Sequence, residues 1–170
     1  MLWGNVAGGI GKNLSEKPPI KNNIMVLLCG YSGRKGKSMK RDLGLARCGL
    51  ACCLCSENVE CKGCRLDGFK DLSWCKDAEW CVNRKCCIEK NIPACRDCGE
   101  TECRKGLFAE KIKALGFTEY ARRFGEEQLL DRLEENEKNG IVYHREGIMG
   151  DYDEFENVED LIRFIDTGKR

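Results

Sequence analysis

Residues 48–55 read CGLACCLC, residues 61–64 read CKGC, residues 81–87 read CVNRKCC and residues 95–103 read CRDCGETEC. Thirteen of the fourteen cysteines in the 170-residue chain lie between Cys48 and Cys103, twelve of them in these four stretches. Three pairs have the spacing C-x2-C, in which a two-residue link can aim both sulfurs at one ion: Cys52/Cys55, Cys61/Cys64 and Cys95/Cys98. The stretch therefore predicts thiolate metal sites.

This cysteine-rich stretch contains few large aliphatic residues. A segment so short and so poor in Leu, Ile and Val cannot be stabilised by burial alone, so it needs disulfides or metal ions as cross-links. No secretory signal peptide is visible, because the apolar run at residues 24–29 is too short and lies too far from the N-terminus. We therefore expect a cytoplasmic protein, where thiols stay reduced and metal is favoured over disulfides.

Charge and hydropathy exclude two classes of partner. The chain has 29 basic and 28 acidic residues, a net charge of +1, which gives no basic face for nucleic acid. No apolar stretch approaches the roughly 20 residues that a membrane helix needs. The partner expected from sequence is another protein, of unknown identity, with no nucleic acid and no membrane.

The first 38 residues differ from the rest, with many glycines and a basic run at residues 34–37. The sequence GYSGRKGKS after an apolar run invites a phosphate-loop interpretation, but Gly30 and Gly36 are one residue too far apart and no βαβ pattern follows. We interpret residues 1–38 as a disordered tail or an over-extended gene start, with Met39 as the expected first residue.

The remaining chain predicts a small α-rich fold, in which a metal-stapled, irregular cysteine-rich domain (residues 39–105) precedes a helical C-terminal extension packed on it (residues 106–170). A short helix is expected from Cys86 to Ile92, closed by Pro93. Beyond Gly106, apolar stripes predict a helix that ends at Gly116, a second around Tyr120, and a third through Leu133 that gives way to a solvated run at residues 134–138.

The last segments carry more local signals. Residues 141–149, IVYHREGIM, suggest a strand or hairpin arm, and the acidic residues from Asp151 to Glu156 a solvated turn. Asn157 has the character of an N-cap for a final helix, and Gly168 that of the residue that ends it.

The cysteine motifs resemble the small cysteine-rich family catalogued as domain of unknown function 3795. Its members share C-G-L-x-C-x-x-C, then C-x-G-C, then C-x4-C-x-x-E-K-x4-C-x-x-C-x4-C, and this chain matches nearly every position, with Glu102 where a proline is expected. The resemblance covers about residues 39–106 and implies metal binding and an independent small domain, but no reaction. It implies ten ligands: Cys48, Cys52, Cys55, Cys61, Cys64, Cys81, Cys86, Cys95, Cys98 and Cys103.

Four cysteines lie outside that pattern: Cys29, Cys53, Cys75 and Cys87. For these we expect a small buried apolar side chain or an exposed free thiol.

Two metals compete for the ten thiols. Zinc takes four thiolates in a closed tetrahedron, and the pairs 52/55, 61/64, 81/86 and 95/98 would fill two such sites. Two such sites use eight of the ten thiols and leave Cys48 and Cys103 without a site. The alternative is a four-iron four-sulfur cluster, because Cys48-x3-Cys52-x2-Cys55 supplies three closely spaced thiolates and Cys103 or another distant cysteine a fourth.

We do not expect an enzyme. The only histidine, His144, lies outside the cysteine-rich region, so no Cys–His pair is visible for thiol catalysis. All-cysteine sites are closed, whereas catalytic zinc keeps an open position. The prediction is a non-enzymatic module in which zinc holds a shape that a partner protein recognises, with an iron–sulfur protein in electron transfer or redox sensing as the alternative.

Overall fold

The computed structural model describes residues 38–56, 61–65, 81–100, 102–144 and 149–170, which all belong to one compact unit, Lys35–Arg170. The predictions for residues 1–37, and those for Cys29 and Cys75, lie outside the described residues. Within these ranges, no helix is long and apolar enough to cross a membrane.

The described residues form a small, helix-rich fold, as the sequence predicted. An irregular cysteine-rich part comes first, with short 3-10 turns at Arg41–Leu43, Cys52–Leu54 and Cys95–Asp97. The helices are α1 (Val82–Glu89), α2 (Leu107–Glu110), α3 (Ile112–Phe124), α4 (Glu126–Lys138) and α5 (Val158–Thr167). Helix α1 begins four residues before the expected start, with Cys81 as its N-cap.

Among the described elements, helix α3 is central and packs against α2, α4 and α5. Its buried residues lie on more than one face, because different elements cover it from different sides; among them are Lys113, Ala114, Phe117, Tyr120 and Ala121. The sequence predicted a helix end at Gly116, and this was wrong. Gly116 lies inside α3. A glycine is needed there because the buried side chain of Leu161 in α5 occupies the space that a larger residue would fill.

Helix α4 continues to Lys138, through the run that we expected to be solvated. Asn136 in that run is buried, and its side-chain amide donates to the carbonyl of Ile165, 3.0 Å away. The expected strand at residues 141–149 is absent from its described part, residues 141–144 and Met149, while residues 145–148 lie outside the description.

Helix α5 has the ends that the sequence predicted. The Asn157 side chain accepts a hydrogen bond from the Asp160 amide at 2.9 Å, and Gly168 ends the helix in the left-handed conformation at φ 63°. The acidic segment before it is only partly solvated. It includes a 3-10 turn, Asp151–Asp153, in which Asp153 forms a buried ion pair with Lys113 at 2.7 Å.

Two hydrophobic clusters join the cysteine-rich part to the helices. Leu45, Ala51 and Cys53 are buried in the same cluster as Phe117 and Leu161. The cysteine-rich part is thereby continuous with the helical part through its packing, although it has few aliphatic residues of its own.

Candidate metal centre

The first cysteine loop is placed by a close approach to α3. Leu45 pairs with Ala51 across an isolated antiparallel bridge, so the chain turns back at Gly49. Gly49 has φ +87°, and a Cβ there would lie 2.7 Å from the Ala114 carbonyl oxygen. The Thr118 hydroxyl donates to the Cys48 carbonyl at 3.2 Å. The glycine and the hydroxyl together fix Cys48 against the helix.

Six thiols make up what we call the first thiol cluster. Cys64 and Cys81 lie within electrostatic range of Cys48, as does Cys95 at the border of this cluster, and Gly63 faces the Cys52 sulfur at 3.5 Å from its would-be Cβ. Four neighbouring thiols raise the pKa of Cys52. Two of them, Cys55 and Cys61, are additional members of the cluster. Its members are Cys48, Cys52, Cys55, Cys61, Cys64 and Cys81.

Five thiols make up the second thiol cluster, on and beside α1. They line one small cavity of about 20 Å³, together with Phe108 and the side chain of Lys90. A cavity of this size has room for about one water-sized sphere. The members of the cluster are Cys86, Cys87, Cys95, Cys98 and Cys103.

Nitrogen donors point at several of these sulfurs. The Arg47 amide donates to the Cys64 sulfur at 3.3 Å, and the Gly63 amide donates to the Cys61 sulfur at 3.4 Å. The Lys90 ammonium donates to the Cys98 sulfur at 3.3 Å. Such N–H groups stabilise negative charge on sulfur, the form in which cysteine binds metals.

In the first cluster, burial favours the neutral thiol over the thiolate. Loss of solvent raises the pKa of the Cys48 and Cys52 thiols, and neighbouring thiols raise both further. Both are therefore protonated at neutral pH as free thiols. Binding of a metal ion would release those protons and make affinity fall as pH falls.

In the second cluster the sulfurs of Cys87 and Cys95 lie 3.6 Å apart. Their hydrogen bond lowers the pKa of Cys87 and raises that of Cys95, and burial raises the pKa of Cys95 further. The Asn83 amide group lies 3.9 Å from the Cys95 sulfur.

All twelve described cysteines are free thiols. Among the described residues, no group of three or more His, Cys, Asp or Glu side chains is arranged so that it could hold a metal ion. What is observed is proximity of thiols, in two clusters that adjoin where Cys48 meets Cys87 and Cys95 in one buried group, and not a formed coordination shell.

The ten cysteines of the family pattern divide between the clusters, six in the first and four in the second. Cys81 and Cys86, paired in the zinc arithmetic from sequence, fall in different clusters. Of the cysteines outside the pattern, Cys53 lies in the hydrophobic core, at 3% exposure, and Cys87 in the second cluster.

Sequence reasoning gave no role to Cys87, Asn83 or Lys90. The only signal for Cys87 was its position next to Cys86, and contacts of Asn83 and Lys90 with sulfur depend on how α1 packs.

No family model, no curated protein and no solved structure matches this chain. The resemblance to domain of unknown function 3795 therefore stays a prediction from the motifs alone.

Proposed function

We propose that this chain is a thiolate metal-binding protein in which zinc ions held by the two thiol clusters fix the shape of the cysteine-rich part. One observation supports this most directly. Of the twelve described cysteines, all but Cys53 lie in two compact clusters beside one another, although they are spread over more than fifty positions of the chain.

The chemistry of the side chains fits such a metal. Thiolates are the ligands of structural zinc, and they select thiophilic metals over magnesium or calcium. The amides of Arg47 and Gly63 and the ammonium of Lys90 would offset part of the negative charge that thiolates bring to a site. The cavity of about 20 Å³ in the second cluster suits a single ion better than a cluster of eight iron and sulfur atoms.

The role that follows is structural. A site closed by four thiolates leaves no position for a substrate, so the metal would hold the loops in one arrangement against α3. We propose that this fixed surface is recognised by a partner protein in a reducing compartment, the cytoplasm.

The alternative is an iron–sulfur protein in electron transfer or redox sensing. Its specific support lies in the first cluster, where Cys48, Cys52 and Cys55 are neighbours with the spacing x3 and x2. Three such thiolates and a fourth from Cys61, Cys64 or Cys81 are a ligand set that iron also takes.

Anaerobic purification followed by elemental analysis decides between these proposals. We expect a colourless protein with about two zinc ions per chain. A brown protein with stoichiometric iron and acid-labile sulfide would establish the alternative. A folded protein that contains and binds no metal would refute both.

Two adjacent cysteines provide a matched pair of variants. Cys52 lies in the first thiol cluster, whereas Cys53 is buried among apolar residues of the core. We expect Cys52→Ser to lose one zinc equivalent and much of its solubility, because an incomplete shell is left. Cys53→Ser should keep both ions and change stability only through packing. The opposite pattern in metal content would show that the ligands are assigned wrongly.

A further inference from the structure

The sulfurs of Cys87 and Cys95 are in direct contact. Cys87 lies in α1 and Cys95 in the 3-10 turn Cys95–Asp97, and their sulfurs are 3.6 Å apart. Both are buried, at 1% and 8% exposure. The contact therefore belongs to the interior of the second thiol cluster.

Backbone hydrogen bonds hold the two residues in this position. The Ile92 amide donates to the Cys87 carbonyl at 2.9 Å, and the Cys95 amide donates to the Arg47 carbonyl at 2.8 Å. The Arg47 guanidinium in turn donates to the carbonyls of Ile92 and Pro93, at 3.0 and 2.8 Å. The turn between the two cysteines is thus fastened to the loop that carries Cys48.

The separation of the two hydrogen-bonded sulfurs also fits two ligands on one zinc ion. Two sulfurs at about 2.3 Å from zinc, at a tetrahedral angle, lie about 3.8 Å from each other. A disulfide would bring them to about 2.0 Å. The observed 3.6 Å is close to the first value and far from the second.

Of the adjacent residues Cys86 and Cys87, Cys86 is the less suitable zinc ligand. Both line the cavity, but consecutive residues of a helix project about 100° apart, so the Cys86 and Cys87 sulfurs approach it from different directions. Cys87 is directed at Cys95 and is almost fully buried, whereas Cys86 is only half-buried. Cys98 and Cys103 line the same cavity and would supply the other two ligands, once the four sulfurs, which form no metal-holding group as they stand, close around an ion.

We propose that Cys87, which lies outside the family pattern, is a zinc ligand together with Cys95, Cys98 and Cys103, and that Cys86 is a free thiol. This inference rests on the proposed function, since it names the ligands of one of its sites. It reverses the assignment that the sequence predicts for two adjacent cysteines.

The direct test uses the full-length, unmutated chain loaded with ¹¹³Cd in place of zinc, because scalar coupling between cadmium and the β-protons of cysteine identifies each bound thiolate. One cadmium resonance should correlate with the β-protons of Cys87, Cys95, Cys98 and Cys103, and none with those of Cys86. A correlation to Cys86 in place of Cys87 would overturn the inference while metal binding stands. Failure to bind cadmium or zinc at all would overturn the proposed function with it.

Variants give an independent readout. Cys87→Ser should retain about one zinc equivalent fewer than the unmutated chain, and Cys86→Ser should retain the full amount. Cys53→Ser is the control for removing a buried thiol that has no thiol neighbour in its core cluster. If Cys87→Ser and Cys53→Ser both keep the full metal content, Cys87 is not a ligand.

Discussion

Gly49 shows at the scale of one residue how the cysteine loop depends on a helix distant in sequence. Its φ of +87° disfavours any side chain, and a Cβ would collide with the Ala114 carbonyl and the Thr118 hydroxyl of α3. We expect Gly49→Ala to reduce the free energy of unfolding by about 2 kcal/mol or more, as measured by urea denaturation.

Gly99→Ala is the matched control for that substitution. Gly99 lies in the same cysteine-rich part, has no positive φ, and nothing lies within 4 Å of its would-be Cβ. It should change stability by less than about 0.5 kcal/mol. Equal effects of the two substitutions would show that the contact between the loop and α3 is unimportant for stability.

Lys113 and Asp153 form the most buried ion pair among the described residues. Their charged atoms are 2.7 Å apart, their side chains are 6% and 10% exposed, and the Lys113 ammonium lies 4.4 Å from the centre of the Tyr143 ring. We expect Lys113→Met to cost about 3–5 kcal/mol, because it leaves the Asp153 carboxylate buried without its partner. Thermal and urea unfolding would measure this loss.

Replacing both partners tests whether the single variant loses stability because it leaves a buried charge unpaired. Lys113→Met combined with Asp153→Leu should recover much of the stability lost in the single variant, since no unpaired charge is left. Lys138→Met, in the exposed pair with Glu134, should have an effect below about 0.5 kcal/mol. If the buried and exposed lysines are equally dispensable, the ion pair does not fix the turn to α3.

At the scale of elements, the contact between α3 and α5 depends on Gly116. A Cβ at this position would lie 3.0 Å from the Leu161 Cγ and closer still to one of its methyl groups. Gly116→Ala gains about 1 kcal/mol of helix propensity, but overpacking costs about 1–3 kcal/mol, so we expect a net loss of up to about 2 kcal/mol.

Leu161→Ala tests whether this contact is the cause. Alone it should cost about 2–5 kcal/mol through the cavity it leaves. In combination with Gly116→Ala, the loss should be smaller than the sum of the single losses, because the added methyl group fills part of that cavity. Strict additivity would contradict the packing described for the two helices.

The same two helices show what the sequence could and could not predict about elements. The ends of α5 were predictable because the Asn157 cap and Gly168 act on their own helix. The extent of α3 was not, because Gly116 marks the approach of Leu161, 45 positions further on, and not a helix end. The acidic residues before α5 likewise revealed nothing of the lysine that pairs with Asp153.

At the scale of the whole molecule, the cysteine spacing predicted where thiols would concentrate but not which of them would meet. Cys81 and Cys86 are five positions apart and yet fall in different clusters, because one caps α1 and the other lies within it. The turn that brings Cys87 to Cys95 is fastened by Arg47, which lies 40 positions or more before it. Such contacts depend on packing and leave no local signature in the chain.

Because the two parts share a core, removal of metal should destabilise the helices as well as the cysteine loops. Leu45, Ala51 and Cys53 are buried against α3 and α5, so loss of the cysteine loops would uncover part of the helical core. On the proposed function, metal affinity would therefore contribute to the stability of both parts and not to the cysteine-rich part alone.

Thermal unfolding of the protein before and after chelation, followed by circular dichroism, tests this account most directly. Removal of the metal should lower the unfolding temperature by at least about 10 °C and reduce the helical signal, and zinc should restore both where magnesium does not. A sample shown by elemental analysis to contain no metal, with an unchanged spectrum and unfolding temperature, would contradict the claim that metal–thiolate bonds hold this fold.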